Sequence, residues 1–361
     1  MILPKRSTPF LDNYIAPIEL AEHKATLALW PERNDVWREQ ARPIENLMIS
    51  LVKEISKRET VYLGVSASRY EYVKNISFGN VIVYIADYDD IWVRDTGPIF
   101  VQNQNSVRGV DFEFNAWGGD EGLYKPWDND NKLSSIICDY LEYEYYHCPL
   151  VLEGGGISFN GQGLGIATTD CIINDNRNPM LSKNCIEDIL KNFLGIEKMI
   201  WLSLGYPDDE TGGHVDNMCV FISPNELILA WSDDDEDEMF RVCRLVENEI
   251  IKQSKAHKIE LTIHKLPIPK PIYATESERR GVVVHDDALK RTGGERLTAS
   301  YVNSYFINGA VLVPKFNCPE DNIACDIFRK ILKDREIIQI EARELLLGGG
   351  GFHCAFMQIP K

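Results

Sequence analysis

Near the end of the chain a cysteine stands just behind four glycines, in Gly348-Gly349-Gly350-Gly351-Phe352-His353-Cys354. Glycine destabilises the interior of a strand or helix, so such a run makes sense where the backbone must turn sharply or let another molecule approach. A thiol just beyond it can project into a cavity, and a thiolate is the strongest nucleophile a side chain offers. The ordinary alternative is a small buried thiol that only packs. His353 is adjacent in sequence. On an extended segment neighbours point to opposite faces, so His353 reads as a supporting group rather than the base. His214, in Gly212-Gly213-His214-Val215-Asp216, is the better base. Asp216 would share its strand face and could orient it or keep it charged. Glu153 ends the apolar Leu150-Val151-Leu152, and Asp95 sits in Ile91-Trp92-Val93-Arg94-Asp95-Thr96-Gly97-Pro98. A carboxylate at the end of a buried strand is costly unless paired. An internal salt bridge, with Arg94 as the ready partner, is the plain reading of both; binding a cation is the functional one.

Three carboxylates, a histidine and a cysteine are the set expected of a thiol enzyme that acts on a cation. A guanidinium is planar and offers a fork of N–H donors, which two carboxylates grip through charge-assisted bidentate bonds. Its carbon is a poor electrophile because the charge is delocalised, so the attack calls for a thiolate. Nearby positive charge favours thiolate formation, and the substrate itself could supply it.

These residues must be positioned by a chain of 361 residues, long enough for one large domain or two ordinary ones. Apolar residues make up 44% and charged residues 26%, as in an average globular protein. Ile44, Leu47, Met48, Leu51, Val52 and Ile55 fit one helical face, with Pro43 suited to the first turn. Further helices are expected over Lys132–Tyr143, from an N-cap at Ser182 to a stop at Gly195, over Glu238–Lys252 and over Glu320–Leu332. Strands are expected at Thr60–Val65, Lys198–Leu204, Ile259–His264 and Ile337–Ile340. Glycine-marked segments at Gly97, Gly154–Gly156, Gly212–Gly213, Gly293–Gly294 and Gly348–Gly351 recur roughly every 60 residues, with one interval nearer 80, which suggests five similar units of a few strands and a helix. If the units close in a ring, the glycine segments can converge on one axis. The long interval holds the acidic run Ser232–Glu238 and the Pro-rich Leu266–Ile272, a surface insertion. The acidic run itself reads as a solvated loop or helix start.

The net charge of −17 argues against a nucleic-acid or anionic-membrane partner and leaves room for a cationic substrate. No apolar run reaches the roughly 18–20 residues of a membrane helix, and the N-terminus lacks the apolar core of a signal peptide. Nine cysteines without a CxxC pair read as reduced, mostly buried thiols of a cytoplasmic protein. There is no GxxxxGK[ST], HExxH or GxSxG. Gly161-Gln162-Gly163-Leu164-Gly165 has the wrong spacing for a dinucleotide loop, and Ile166–Thr169 reads as strand.

Seven blocks carry a resemblance: Trp92–Pro98, Phe112–Gly119, Val151–Gly155, Arg177-Asn178-Pro179, Gly213–Asn217, Ala299-Ser300-Tyr301-Val302-Asn303 and Gly349–Cys354. Together they resemble the agmatine deiminase family, within the guanidino-modifying superfamily and near the bacterial-type peptidylarginine deiminases. The match runs in order from about Trp30 to the C-terminus. The resemblance implies an α/β fold, a five-bladed pentein-like propeller of ββαβ-type repeats around a central site, with residues 1–361 as one catalytic domain. It implies that Cys354 attacks the guanidinium carbon, that His214 protonates the departing ammonia and then activates water, and that Asp95, Asp216 and Glu153 hold the guanidinium. Trp92, Trp117 and Gly351 would line the substrate. The implied reaction converts agmatine to N-carbamoylputrescine and ammonia, in putrescine biosynthesis, with no cofactor and no metal. A homodimer or higher homo-oligomer is the expected assembly. The chain departs from the family pattern at Gly212, where relatives have Asp or Asn, at Gly156, where Ser is common, and at Phe356, where Thr is common. Asp208, Asp209 and Glu210 stand where a distal ammonium could be read, or form a solvated loop. Rival readings are deimination of peptidyl-arginine, methylated arginine or free arginine, the last requiring a carboxylate-binding cation that the sequence does not reveal, and a binding protein without activity.

Overall fold

The computed structural model describes residues 2–361. The chain opens with β1 (His23–Leu29), α1 (Arg42–Ile55), β2 (Thr60–Val65) and β3 (Val81–Ile85). Next come β4 (Ile99–Gln102), β5 (Val107–Glu113), α2 (Asp128–Tyr140) and β6 (Tyr145–Val151), then β7 (Ile157–Phe159), β8 (Leu164–Thr168), α3 (Lys183–Leu194) and β9 (Lys198–Leu202). The second half contributes β10 (Cys219–Ser223), β11 (Glu226–Trp231), α4 (Met239–Ala256) and β12 (Thr262–Pro267), then β13 (Tyr305–Ile307), β14 (Ala310–Lys315), α5 (Glu320–Ile331) and β15 (Glu336–Glu341), and ends with β16 (Phe356–Pro360).

These strands form five separate sheets, and among the described residues none closes on itself. Four sheets repeat one plan. Two antiparallel strands are followed by a helix that carries the chain back, so that the third strand lies parallel beside the second; a parallel return requires such a crossover. The remaining sheet uses both chain ends: β16 runs antiparallel to β1, β2 lies parallel to β1 across α1, and β3 adds an edge strand. The middle strands of the units, such as β8 and β14, are buried at nearly every position, as expected where both faces of a sheet are covered.

Local signals explain the helices. In α1, Ile44, Met48, Leu51, Val52 and Ile55 form the buried stripe. In α3, Ser182 Oγ accepts the Cys185 N–H and Gly195 closes the helix at φ +73°. α2 begins four residues before the expected Lys132, with Asp128 and Asp130 in its first turn, where acids complement the helix dipole. The strand expected over 259–264 runs instead over Thr262–Pro267, because pairing with β11, from Glu226 opposite Thr262 to Trp231 opposite Pro267, sets its span. Gly161 and Gly163, at φ +72° and +86°, shape the hairpin between β7 and β8. All nine cysteines are free, and seven are buried. Among the described residues no helix is long and apolar enough to cross a membrane.

The segment leading into the first strand of each sheet is what the fold brings together. Helical turns at Val93–Thr96, Gly154–Gly156, Val215–Asn217 and Phe352–Ala355 precede β4, β7, β10 and β16. The fourth unit departs from the expected marker. Gly293–Gly294 lies within the long connection 268–304, and the segment before β13 is Ala299–Ser304, which contains no glycine. That connection is the true insertion. The acidic run is a short link into α4, with Asp233–Glu236 exposed and Asp237 buried against Arg296. The insertion is tied down by backbone bonds from Val283 to Asn34, Lys125 to Asp287 and Leu289 to Leu123.

Gly195 tests the local account. A Cβ there would lie 2.6 Å from Ile15 Cγ2 at a left-handed φ. Gly195→Ala is expected to lower unfolding free energy by about 1–2 kcal/mol, read as a reduced urea midpoint with an unchanged m-value.

Candidate active site

A small cavity opens among the leading segments. Trp92, Asp95, Trp117, Gly350 and Cys354 line it together with Asp90, Glu210, Leu289, Arg33 and Arg291. Cys354 is only 7% exposed, yet it reaches this cavity. The Trp92 ring is held by its Nε1–H, which donates to Asp90 Oδ2 (3.0 Å). A Cβ at Gly350 would lie 2.5 Å from that ring, so glycine is needed there for close approach.

Behind the thiol the charged groups meet. Asp216 Oδ2 lies 3.3 Å from Cys354 Sγ and accepts the His353 Nδ1–H at 2.9 Å. His353 Nε2–H donates to Glu19 Oε2 at 2.9 Å. Both acceptors are carboxylates, so both ring nitrogens carry protons. Asp95 accepts the Gly155 N–H on Oδ1 (2.8 Å) and the Trp117 Nε1–H on Oδ2 (3.0 Å). His214 stands between two carboxylates at ion-pair range, Nδ1 being 3.8 Å from Asp95 and Nε2 4.0 Å from Glu153. Glu153 Oε1 accepts the Arg177 Nε–H (2.8 Å), and Asp209 accepts the His214 backbone N–H (2.9 Å). Among the described residues Glu153 Oε2, His214 Nε2 and Asp216 Oδ1 are buried without a hydrogen-bond partner. Buried polar atoms are normally satisfied, so the two carboxylate oxygens mark where the N–H groups of a ligand would be received, and His214 Nε2 where its own N–H would meet an acceptor such as water.

The Porphyromonas-type peptidyl-arginine deiminase family model matches residues 15–360. The chain belongs to that family. It is 41% identical to a protein of Pseudomonas fluorescens (strain SBW25) named agmatine deiminase, over 98% of this chain and 97% of that one. Among solved structures it resembles the agmatine deiminase of Enterococcus faecalis, with a TM-score of 0.95, 33% identity and 98% of each chain covered. It also resembles a cysteine-to-serine variant of C. jejuni agmatine deiminase with substrate bound, with a TM-score of 0.82, 28% identity and 96% of each chain covered. The mixed α/β fold is thus the one of these deiminases.

In this family member burial and crowding of like charges set the protonation states. Burial raises Asp95 most; the His214 charge opposes it, Asp216 and Glu153 add to it, and the result is about 6. Burial also pushes Asp216 up, but the hydrogen bond and charge of His353, together with His214, outweigh it and leave Asp216 below its ordinary value. Burial pulls His214 down, while Asp95, Asp216, Glu153 and Asp209 pull harder upward. His353 follows the same logic: burial and Arg94 lower it, and Glu19 and Asp216 prevail. Glu19 falls to about 2, because His353 and Arg94 overcome the effect of burial. Burial first, then Asp216 and Asp95, hold the Cys354 thiol well above its ordinary range. An imidazolium and a protonated thiol beside buried carboxylates suit a cationic ligand, whose charge lowers the cost of forming a thiolate.

All of the polar residues expected at the site from the sequence are brought together: Cys354, His214, Asp216, Glu153 and Asp95, with Trp92 and Trp117 on the cavity wall. Four details differ. His214 and Asp216 converge through the turn at 215–217, not along a strand face. Arg94 does not pair Asp95 or Glu153; it bonds Gln358 and the His353 carbonyl, and Arg177 takes Glu153. Gly348–Gly350 line the cavity, whereas a Cβ at Gly351 would lie 2.3 Å from Asn303 Oδ1, behind it. In the acidic trio, Asp209 is a half-buried support, Glu210 lines the cavity paired with Arg291, and Asp208 lies in a neighbouring cleft. Asn303, Arg177 and Glu19 are site residues that reading the sequence for chemistry does not single out. Asn303 and Arg177 fall inside two of the seven sequence blocks, which is the available signal. Glu19 has none, being 334 positions from the histidine it meets.

Gly155 is the hinge of this geometry, because a Cβ there would lie 2.7 Å from His214 Nδ1, 2.9 Å from Asp216 Oδ2 and 3.0 Å from Asp95 Oδ1. Gly155→Ala is expected to cost about 100-fold or more in kcat through displaced groups, with the circular dichroism spectrum retained. Arg177→Met, which strands Glu153 in the interior, should lower unfolding free energy by about 3–5 kcal/mol, visible as a large drop in melting temperature.

Proposed function

We propose that the protein hydrolyses agmatine to N-carbamoylputrescine and ammonia through a covalent amidino-cysteine on Cys354. The observation that carries this reading is one thiol, at a cavity wall, set among buried carboxylates and a charged imidazole, in a chain whose relatives are named agmatine deiminases. The guanidinium lies between Asp95 and Asp216, with Glu153 taking a further N–H. Its charge favours ionisation of Cys354, whose sulfur bonds to the guanidinium carbon. His214 gives its proton to one nitrogen of the tetrahedral adduct, and the C–N bond breaks to release ammonia. The neutral His214 then takes a proton from water, whose oxygen adds to the same carbon. The C–S bond breaks, and the thiol is restored as the product's C–O group loses its proton. One water is consumed, and the original thiol proton departs with ammonia as ammonium, so atoms and charges balance. The step is a hydrolysis that needs no cofactor, and its place is in putrescine formation.

The charge of the cavity lining favours agmatine over arginine. Arg291 and Arg33 are the cations of the lining that could receive an α-carboxylate, but each is held in a bidentate pair, Arg291 by Glu210 (3.1 and 2.6 Å) and Arg33 by Asp35 (2.9 and 2.5 Å), which neutralises it. With those pairs closed, Asp90 is the lining carboxylate left to meet a distal ammonium. Against a peptide substrate stands the insertion, whose Ala288 and Leu289 form part of the cavity wall. We further take residues 1–361 to form one catalytic domain whose five sheets stand as blades of a pentein-like propeller around this site. With a net charge of −17, nucleic acid and anionic membranes are not its partners, and a homo-oligomer in the cytoplasm is the expected form.

Ammonia release measured with agmatine, arginine and a blocked arginine peptide should rank agmatine first; faster release from the peptide would defeat this assignment. Cys354→Ser should lose at least about 1,000-fold in kcat while still binding agmatine, and denaturing mass spectrometry of the wild type quenched in turnover should find the amidino adduct on the peptide containing Cys354. Asp95 must be ionised to hold the cation, so kcat/KM should fall as pH drops through about 6. His214 must be protonated to release ammonia, so activity should fall again on the alkaline side, above the ordinary imidazole value of 6.5. A pH–rate profile that is flat across the acidic limb would remove Asp95 from this role.

A further inference from the structure

The N-terminal segment sends one carboxylate to the back of the site. Glu19 Oε2 accepts the His353 Nε2–H at 2.9 Å, and Asp216 Oδ2 accepts the Nδ1–H of the same ring at 2.9 Å, so the imidazolium lies between two carboxylates. Asp216 Oδ2 is also the oxygen 3.3 Å from Cys354 Sγ. Glu19, His353, Asp216 and Cys354 thus stand in one line of contacts, and none is more than 7% exposed. Glu19 ends that line. It takes no part in the wall of the catalytic cavity and borders a second small cavity together with Arg94 and Gln358. Its place is fixed by bonds outside the site: the Ala16 N–H donates to the Leu194 carbonyl, the Ala21 N–H to the Ile18 carbonyl, and the Glu19 carbonyl accepts the His23 Nε2–H at 2.8 Å. Arg94 is also within ion-pair range, 3.8 Å from Glu19 Oε1, but its hydrogen bonds go to Gln358, Met357 and the His353 carbonyl. A buried carboxylate is costly unless paired, and the partner that Glu19 bonds is the ring behind the nucleophile's own turn.

We propose that Glu19 is a positioning residue, whose charge keeps the His353 ring protonated so that Asp216 stays ionised and fixed where the guanidinium meets Cys354. The inference rests on the reading of Asp216 as a holder of the guanidinium and adds the distant group that secures its charge. Burial and Arg94 both favour a neutral His353 ring, and Glu19 and Asp216 together outweigh them. In return, burial raises Asp216, and the hydrogen bond and charge of that ring are the largest of the effects that bring it below its ordinary value. With Glu19 uncharged, Asp216 alone would face burial and Arg94. A neutral ring could still donate its Nδ1–H to Asp216, but the carboxylate charge would go uncompensated. In a dry interior that favours a proton on Asp216 and opposes an anion on the neighbouring sulfur. Other charged groups face these three from the surrounding segments: His214, Asp95 and Asp209 around Asp216, and Arg94, His23, Glu59 and Tyr305 around Glu19 and His353. They are common to the wild type and to the variants below, so the comparison isolates the Glu19 charge.

Two variants separate charge from packing. Glu19→Gln removes the charge and keeps an acceptor for the ring N–H, whereas Glu19→Asp keeps the charge on a shorter arm. The test is alkylation of Cys354 by iodoacetamide, an uncharged reagent that brings no guanidinium into the site. The S–C bond forms as the C–I bond breaks, iodide leaves, and the thiol proton passes to buffer. Its rate, followed between about pH 7 and 10 by mass spectrometry of the peptide containing Cys354, reports the thiolate fraction. Exposed Cys185 is thereby kept apart. Glu19→Gln is expected to displace the log rate–pH line by about half a unit to higher pH, about threefold slower at a given pH, because the charge that offsets Asp216 is lost. Glu19→Asp should stay close to the wild-type line. With agmatine, the acidic limb of log kcat/KM should fall with unit slope in the wild type as Asp95 takes up its proton at about 6. In Glu19→Gln, Asp216 titrates in the same range, so the limb should steepen toward twice that slope, about tenfold further loss at about pH 5 relative to each protein's own plateau. A packing defect would lower the plateau and leave the slope and the alkylation line unmoved. A folded Glu19→Gln that alkylates along the wild-type line overturns the proposal, as does a Glu19→Asp that behaves like Glu19→Gln. Failure of both variants to fold overturns it too, by assigning the side chain to the scaffold. Alkylation needs no agmatine, so an absence of ammonia release by the wild type would count against the functional reading while the comparison of alkylation lines still decided the role of Glu19.

Discussion

Like charges crowded into a dry interior govern this molecule. Asp95, Glu153, Asp209 and Asp216 stand around one imidazole, Asp209 half-buried and the other three buried. Coulomb repulsion between carboxylates grows as water is excluded, and each has a different answer to it. Glu153 has an arginine, Asp209 has backbone and side-chain N–H groups, Asp216 has the His353 imidazolium, and Asp95 has only an indole and a backbone N–H. Asp95 is accordingly the member whose pKa rises to about 6. A site with such a surplus of negative charge attracts a cation and repels an anion, so selectivity for substrate charge is set before any contact with the reacting carbon.

Holding these groups together demands close backbone approach, and the repeated architecture supplies it. Asp95, Glu153, His214 and Asp216 leave from, or just ahead of, a short turn before the first strand of a sheet, where one end is anchored by the sheet's hydrogen bonds. A turn anchored in this way can place a side chain firmly without a long element of its own. The glycines lie where two such turns would otherwise collide: Gly155 against His214, Asp216 and Asp95, Gly350 against Trp92, and Gly351 against Asn303. The recurrence seen along the chain is thus a consequence of packing several turns around one centre.

The insertion between β12 and β13 adds what the repeated units lack. It crosses from its own sheet to segments near Asn34 and Leu123 and carries Leu289 and Arg291 to the cavity. Through Arg291 it joins Glu210 and the Gly348 carbonyl, so one side chain links the insertion, the loop before His214 and the glycine run before Cys354. The shape and charge of the cavity wall therefore depend in part on a segment outside the repeated units.

Periodic patterns placed α1, and local capping by Ser182 and Gly195 placed α3, because these signals act over a few neighbouring residues. The span of β12 lay beyond such signals, since strand pairing decides it, and the start of α2, marked locally by Asp128 and Asp130, is completed by the distant Asp89 carboxylate, which accepts the Asn129 and Asp130 N–H groups. At the site, glycine runs pointed to Cys354 and His214, because a glycine that makes room for a neighbour leaves a mark in composition. The ion pairs left no such mark: Arg94 stood beside Asp95 in sequence yet turned toward Gln358, and Glu153 found Arg177. The amino-acid sequence by itself determined which chemical groups were available and which stretches could become helices, turns and strands. Only the tertiary structure decided which carboxylate met which cation, and that Asn303 and Glu19 joined the cysteine turn, because partners in an interior are chosen by geometry across the chain and not by order along it.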